Sequence, residues 1–131
     1  MTRYMLDTNT VSDVMKENEA VSARTEATPM ESLCISAITL GELRFGIAKR
    51  KAPKLERALE EFLKRVDVLP WDERVAEKYG VLRALLESGG CKMGNLDMLI
   101  AGHALGVGAV LVTSDEAFSR VRGLKVENWR D

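Results

Sequence analysis

The residues of this chain best placed to do chemistry are carboxylates, and four of them, Asp7, Glu42, Asp97 and Asp115, are set apart by position. Asp7 closes the apolar run Tyr4-Met5-Leu6 and is followed by Thr8, Asn9 and Thr10. Asp115 follows Val110-Leu111-Val112-Thr113 in nearly the same way. If both runs are strands of one parallel sheet, both acids emerge at its carboxyl edge, where α/β sheets bind ligands near the point of strand-order reversal. Each also has a plainer use, because Asp is a good helix N-cap. Glu42 shares a helix face with Ile38, Phe45 and Gly46 at i−4, i+3 and i+4 spacing. A carboxylate there is expected to be buried or to point into a cleft, and it is costly unless paired, with a neighbouring Arg or Lys as the structural alternative. Asp97 falls in the first turn of a helix after Gly94-Asn95, with Asn95 as the candidate cap. The helix dipole alone favours an acid in that turn, typically by ~0.3–1 kcal/mol.

The four together suggest more than capping. Two carboxylates ~5 Å apart repel by roughly 3 kcal/mol at an effective dielectric near 20. A cap or a dipole does not offset several such pairs. The acids are therefore either spread apart or gathered around a divalent cation. Oxygen donors without His or Cys suit Mg²⁺ or Mn²⁺ better than zinc. A hard cation in an acidic cleft can activate water and hold a phosphate oxygen, the two requirements of phosphodiester hydrolysis. The single histidine, His103, and two cysteines, Cys34 and Cys91, with no CxxC, leave little material for a zinc site or a Ser-His-Asp triad. His103 lies on the stripe of Leu99, Ile100 and Val107 and reads as a packed, hydrogen-bonded side chain.

The elements that must position these acids are short. Strands are expected at Tyr4–Leu6, Leu33–Ser36, Asp67–Leu69, Ala109–Thr113 and Leu124–Glu127. Helices are expected at Thr10–Lys16, Glu19–Thr28, Ile38–Arg50, around Leu55 to Val66, from an Asp72 cap to Gly89, at Leu96–Val107 and briefly at Glu116–Ser119. Helices alternating with short apolar strands predict a parallel α/β sheet covered on both faces. No repeat, linker or low-complexity segment divides residues 1–131, so one domain is expected.

Composition sets outer bounds. At 46% hydrophobic and 30% charged, the 131 residues read as an ordinary globular chain. A formal net charge of −1 provides no global field for nucleic acid, so any such contact must be local. Residues 49–65 carry seven basic against three acidic residues. Lys49, Arg50, Lys51 and Lys54 are the candidates there for tracking an RNA backbone. A solvated helix face with internal Glu–Lys pairs is the alternative. Tyr4, Trp71 and Trp129 are expected to pack instead of stacking on bases. With no basic and apolar leader, and no apolar run near the ~20 residues of a membrane span, a cytoplasmic protein with reduced thiols is expected.

Four stretches carry a family resemblance: Met5-Leu6-Asp7-Thr8-Asn9, Ile35-Ser36-Ala37-Ile38-Thr39 running into Gly41-Glu42-Leu43-Arg44-Phe45-Gly46, Asp97-Met98-Leu99-Ile100-Ala101-Gly102-His103-Ala104, and Leu111-Val112-Thr113-Ser114-Asp115 with Phe118. In this order they resemble the PIN-domain nucleases and, within them, the VapC toxins of type II toxin–antitoxin systems. The likeness runs down to Val121-Arg122-Gly123-Leu124 and Trp129.

It implies a three-layer α/β/α sandwich with a five-stranded parallel sheet. It maps the family's catalytic, metal-binding acids onto Asp7, Glu42, Asp97 and Asp115, and its supporting groups onto Thr8, Asn9 and Thr113. It further implies a homodimer, a VapB-like antitoxin, and Mg²⁺- or Mn²⁺-dependent cleavage of RNA, with tRNA as the family-based candidate. Leu96 and Ser114 depart from residues frequent in relatives, which bears on substrate contacts. A haloacid-dehalogenase-like phosphatase would want a second Asp where Asn9 stands. A non-catalytic PIN module acting through a protein partner remains the other reading.

Overall fold

The protein is described by a computed structural model over residues 1–130. Five strands, β1 (Tyr4–Leu6), β2 (Leu33–Ser36), β3 (Asp67–Leu69), β4 (Val110–Val112) and β5 (Val126–Glu127), form one sheet of order β3-β2-β1-β4-β5. Every pairing is parallel. The chain steps outward from β1 to β2 and β3, then returns to lay β4 on the other side of β1. Strand order therefore reverses between β1 and β4, and the first and fourth strands end side by side.

Side-chain alternation divides the core. Met5, Cys34 and Leu111 face one layer, with Leu82 and Leu86 of α5 (Glu73–Ser88) and Met98, Ile100, Ala101 and Ala104 of α6 (Asn95–Val107). Leu6, Leu33, Ile35 and Val112 face the other. That second layer is built from α1 (Thr8–Met15), α2 (Glu19–Ala27), α3 (Ala37–Arg50) and α4 (Pro53–Leu63), through Val11, Val21, Leu43, Leu59 and Phe62. The result is the expected three-layer α/β/α sandwich. Successive strand residues point to opposite faces, so a three-residue strand can serve both layers.

The differences from expectation are local. α1 begins at Thr8, two residues early, because Asp7 is its cap. Asn95 is inside α6, and the cap residue is Gly94, which offers no side-chain bond. A 3₁₀ turn at Met30–Ser32 precedes β2, and β5 shrinks to two residues. β3 is one of the two outer strands, with Asp67 and Val68 exposed. Gly108 ends α6 with φ of 68°, a left-handed conformation that suits glycine and turns the chain into β4. Among the described residues, no helix is long and apolar enough to cross a membrane.

Candidate active site

The site begins at the reversal between β1 and β4. Leu6 is in register with Val112, the Asp7 amide donates to the Val112 carbonyl at 3.0 Å, and the Thr10 hydroxyl donates to the same oxygen at 3.0 Å. Thr10 was not distinguishable in sequence from the other small residues after Asp7. Asp7 is only 5% exposed, and its Oδ1 accepts from the Thr10 amide at 2.8 Å. Asp115 repeats the device one strand over. Its Oδ1 accepts from the Ala117 amide at 2.9 Å, and its own amide donates to Thr113 Oγ1 at 3.0 Å. Capping and site chemistry are thus compatible. Each acid is held through Oδ1, and neither Oδ2 has a hydrogen-bond partner among the described residues.

Glu42 enters from α3. Ser36 starts that helix by accepting from the Ile38 amide at 3.1 Å, and Glu42 follows in its second turn. Its Oε1 accepts from Thr8 Oγ1 at 2.7 Å. The ion-pair alternative fails, since none of the salt bridges among the described residues includes Glu42. The buried side of α3 is Thr39 and Leu43, about 60° and 100° round the helix from Glu42. The face of Ile38, Glu42 and Phe45 therefore lies at the rim. Glu42 is half-buried there, while Phe45 is 65% exposed, contrary to an apolar face turned fully inward.

Asp97, half-buried in the first turn of α6, ties the group together. Its pKa is raised, chiefly because burial penalises its charge and then because Asp115, Glu42 and Asp7 each repel it. Acids carried by four different elements therefore act on one another. They do not form a closed cage: among the described residues no three acidic, histidine or cysteine side chains converge on a common ion position. Mg²⁺ is commonly held by one or two carboxylates, with water and substrate phosphate completing the shell, so an open ring of oxygen donors fits it. Asp13, the other buried acid, is used elsewhere, bound by the Arg130 guanidinium at 2.7 and 2.8 Å.

The remaining candidates fall around this ring. Asn9 is exposed and bonds to none of the acids. With Thr8, Glu42, Lys16 and Arg50 it lines a cavity of about 270 Å³ between α1, α3 and α4. Lys51 and Lys54 are exposed at the α3–α4 junction, and Lys49 Nζ stands 5.8 Å from the Phe45 ring centroid. Within residues 49–65 the one ion pair is Glu61–Lys64 at 2.9 Å. His103 is fully buried, with Nδ1 2.7 Å from Ser36 Oγ, and burial lowers its pKa. It packs as expected, and Ser36 emerges as the link between α6 and the start of α3. Trp71 Nε1 donates to the Leu99 carbonyl at 3.0 Å, and Tyr4 meets Trp129 at 5.5 Å, so these rings serve packing.

A parallel sheet with acids gathered at its reversal defines a class, and the comparisons with known proteins agree with it. The PIN domain family matches residues 4–124. The chain is 37% identical to the tRNA(fMet)-specific endonuclease VapC of Shigella flexneri, over 98% of this chain and 99% of that protein. It is 35% identical to Ribonuclease VapC2 of Haemophilus influenzae strain Rd, with the same shares covered. The fold superposes with a TM-score of 0.92 on VapBC2 from Rickettsia felis bound to a promoter DNA fragment, at 34% identity over 98% of this chain and 99% of that one. VapBC from Salmonella typhimurium, also DNA-bound, gives 0.87 at 38% identity over the same shares. The chain belongs to the PIN-domain family and, within it, to the VapC ribonucleases.

Proposed function

We propose that residues 1–131 form one nuclease domain, a Mg²⁺- or Mn²⁺-dependent endoribonuclease toxin acting on RNA in the cytoplasm. The observation that carries this reading is the meeting of four acids from four elements, with Asp115, Glu42 and Asp7 repelling Asp97 and none of the four in a salt bridge among the described residues. Asp7, Glu42, Asp97 and Asp115 are the residues that would hold the cation. When bound, it supplies Lewis acidity to the scissile phosphate and lowers the pKa of water.

The protein's own part is orientation. Thr8 fixes the Glu42 carboxylate, the α1 cap fixes Asp7, and Thr113 fixes the turn that presents Asp115. A water held by one of these acids attacks the phosphorus in line with the leaving 3′ oxygen, and the downstream product keeps a 5′-phosphate. Transfer RNA is the candidate substrate, since the Shigella flexneri relative bears a tRNA-specific name. A VapB-like antitoxin is the candidate inhibitor, since the solved neighbours are VapBC complexes. Val81 and Leu85, exposed at i and i+4 on α5, are the candidate face of a homodimer.

Cleavage of total RNA by the purified chain tests the reading, with Mg²⁺ or Mn²⁺, with EDTA, and with Asp7→Ala. Metal-dependent cutting that leaves 5′-phosphate ends and is lost in the variant is expected. Ends bearing 2′,3′-cyclic phosphate would overturn the mechanism, and cutting retained in EDTA would overturn the metal requirement.

A further inference from the structure

Phe45 is the one exposed side chain among the seven aromatic residues of the chain, and at 65% exposure it contributes little to the core. It stands one helical turn beyond Glu42 on α3. With Ile38 and Leu96 it forms a shallow apolar depression of about 540 Å³ that also includes Thr8 and Glu42. Leu96 is 47% exposed and immediately precedes Asp97. An apolar floor therefore includes Glu42 and ends at the residue before Asp97. Lys49, one turn further along α3, holds its ammonium 5.8 Å from the ring centroid and makes no salt bridge among the described residues.

We infer that Phe45 and Leu96 form the platform on which a single unpaired nucleobase stacks beside the scissile phosphate, with Lys49 meeting the backbone next to it. This rests on the ribonuclease reading above. Every base presents a π-face, and base–aromatic stacking secures a nucleotide without reading its sequence. In an A-form duplex both faces of each base are covered by its neighbours, so only a loop, bulge or end can offer one. The platform thus selects unpaired RNA, and choice among loops falls to other contacts. A second copy of this chain suits the patch less well. Interface cores are depleted of charge, and here Glu42 and Lys49 would be enclosed with it.

The test compares the wild-type chain with Phe45→Ala and Phe45→Trp, on a short unstructured RNA oligonucleotide and on the same strand annealed to its complement. Binding is read by fluorescence anisotropy in EDTA, where cutting is suppressed, cleavage by kcat and KM in Mg²⁺, and assembly by sedimentation. Phe45→Ala should weaken binding and raise KM by roughly tenfold or more, the scale of one lost stack, with kcat little changed. Phe45→Trp should preserve both, and the duplex should resist cutting. Unchanged binding in Phe45→Ala overturns the platform whether or not the protein cuts RNA. So does a loss that merely follows dissociation of a dimer. A wild type that binds through Phe45 yet cuts nothing leaves the platform standing and sinks the ribonuclease reading instead.

Discussion

The Thr8 hydroxyl donates a 2.7 Å hydrogen bond to Glu42 Oε1, joining the first residue of α1 to the second turn of α3 across the candidate site. The bond orients a carboxylate that makes no salt bridge among the described residues. Hydrogen bonds to charged groups contribute about 1.5–3 kcal/mol. Thr8→Val should therefore reduce kcat/KM for RNA about tenfold or more, while Thr8→Ser keeps most of the activity. Equal activity in Thr8→Val would mean that Glu42 does not need this orientation.

Asp97 yields a prediction about pH. Its raised pKa means that the native state holds this proton more tightly than the unfolded chain does. The associated stability is present in acid and is lost as pH rises from the ordinary carboxylate value, about 4, through the raised one. Above that window the ionised group burdens the metal-free fold. Asp97→Asn should raise the Tm of the metal-free protein at neutral pH and lose that advantage in acid. Mn²⁺ should raise the wild-type Tm and help the variant less. A lower neutral-pH Tm for the variant would contradict the repulsion.

His103 and Ser36 meet at 2.7 Å inside the protein, and Ser36 Oγ also caps α3. Ser36→Ala removes both bonds and should cost about 1–3 kcal/mol in urea unfolding. Because burial lowers the His103 pKa, the unfolded chain binds that proton first as pH falls below about 6.5. Stability should decline from that pH down to the lowered native value. His103→Leu should flatten this slope whatever its absolute stability, and an unaltered slope would assign the titration to another group.

Two glycines should respond with opposite signs. A Cβ on Gly102 would lie 3.0 Å from Tyr79 Cα and Cβ, where α6 meets α5. Gly102→Ala forces these helices apart and should cost about 1–3 kcal/mol. It should also impair cleavage, because α6 carries Asp97. At Gly80, on the exposed side of α5, a Cβ meets nothing within 4 Å, so Gly80→Ala should stabilise by about 1 kcal/mol. Thermal melts of the pair check both at once.

Much of this architecture was legible in the sequence. The short apolar runs Tyr4–Leu6 and Val110–Val112, covered on both faces, the caps at Asp7 and Asp72, and the end of α6 at Gly108 are all decided within a few residues. So is the inward setting of His103, which follows the helical spacing of its apolar neighbours. Local rules of this kind fix which element forms and which side of it turns inward.

The tertiary structure decided which elements meet, and that decided the site. Thr8 and Glu42 are 34 positions apart in the chain, and Asp97 feels Asp7 and Asp115 only because β4 lies beside β1 and α6 packs over that junction. No local pattern encodes those distances. They depend on strand order and register, which the sheet settles collectively as both of its faces are covered. The same cause exposes Phe45, because α3 turns Thr39 and Leu43 inward and leaves the ring at the rim. The sequence by itself therefore specified two acids that follow strands and two in the first or second turn of a helix, and the fold alone gathered them beside one open aromatic ring.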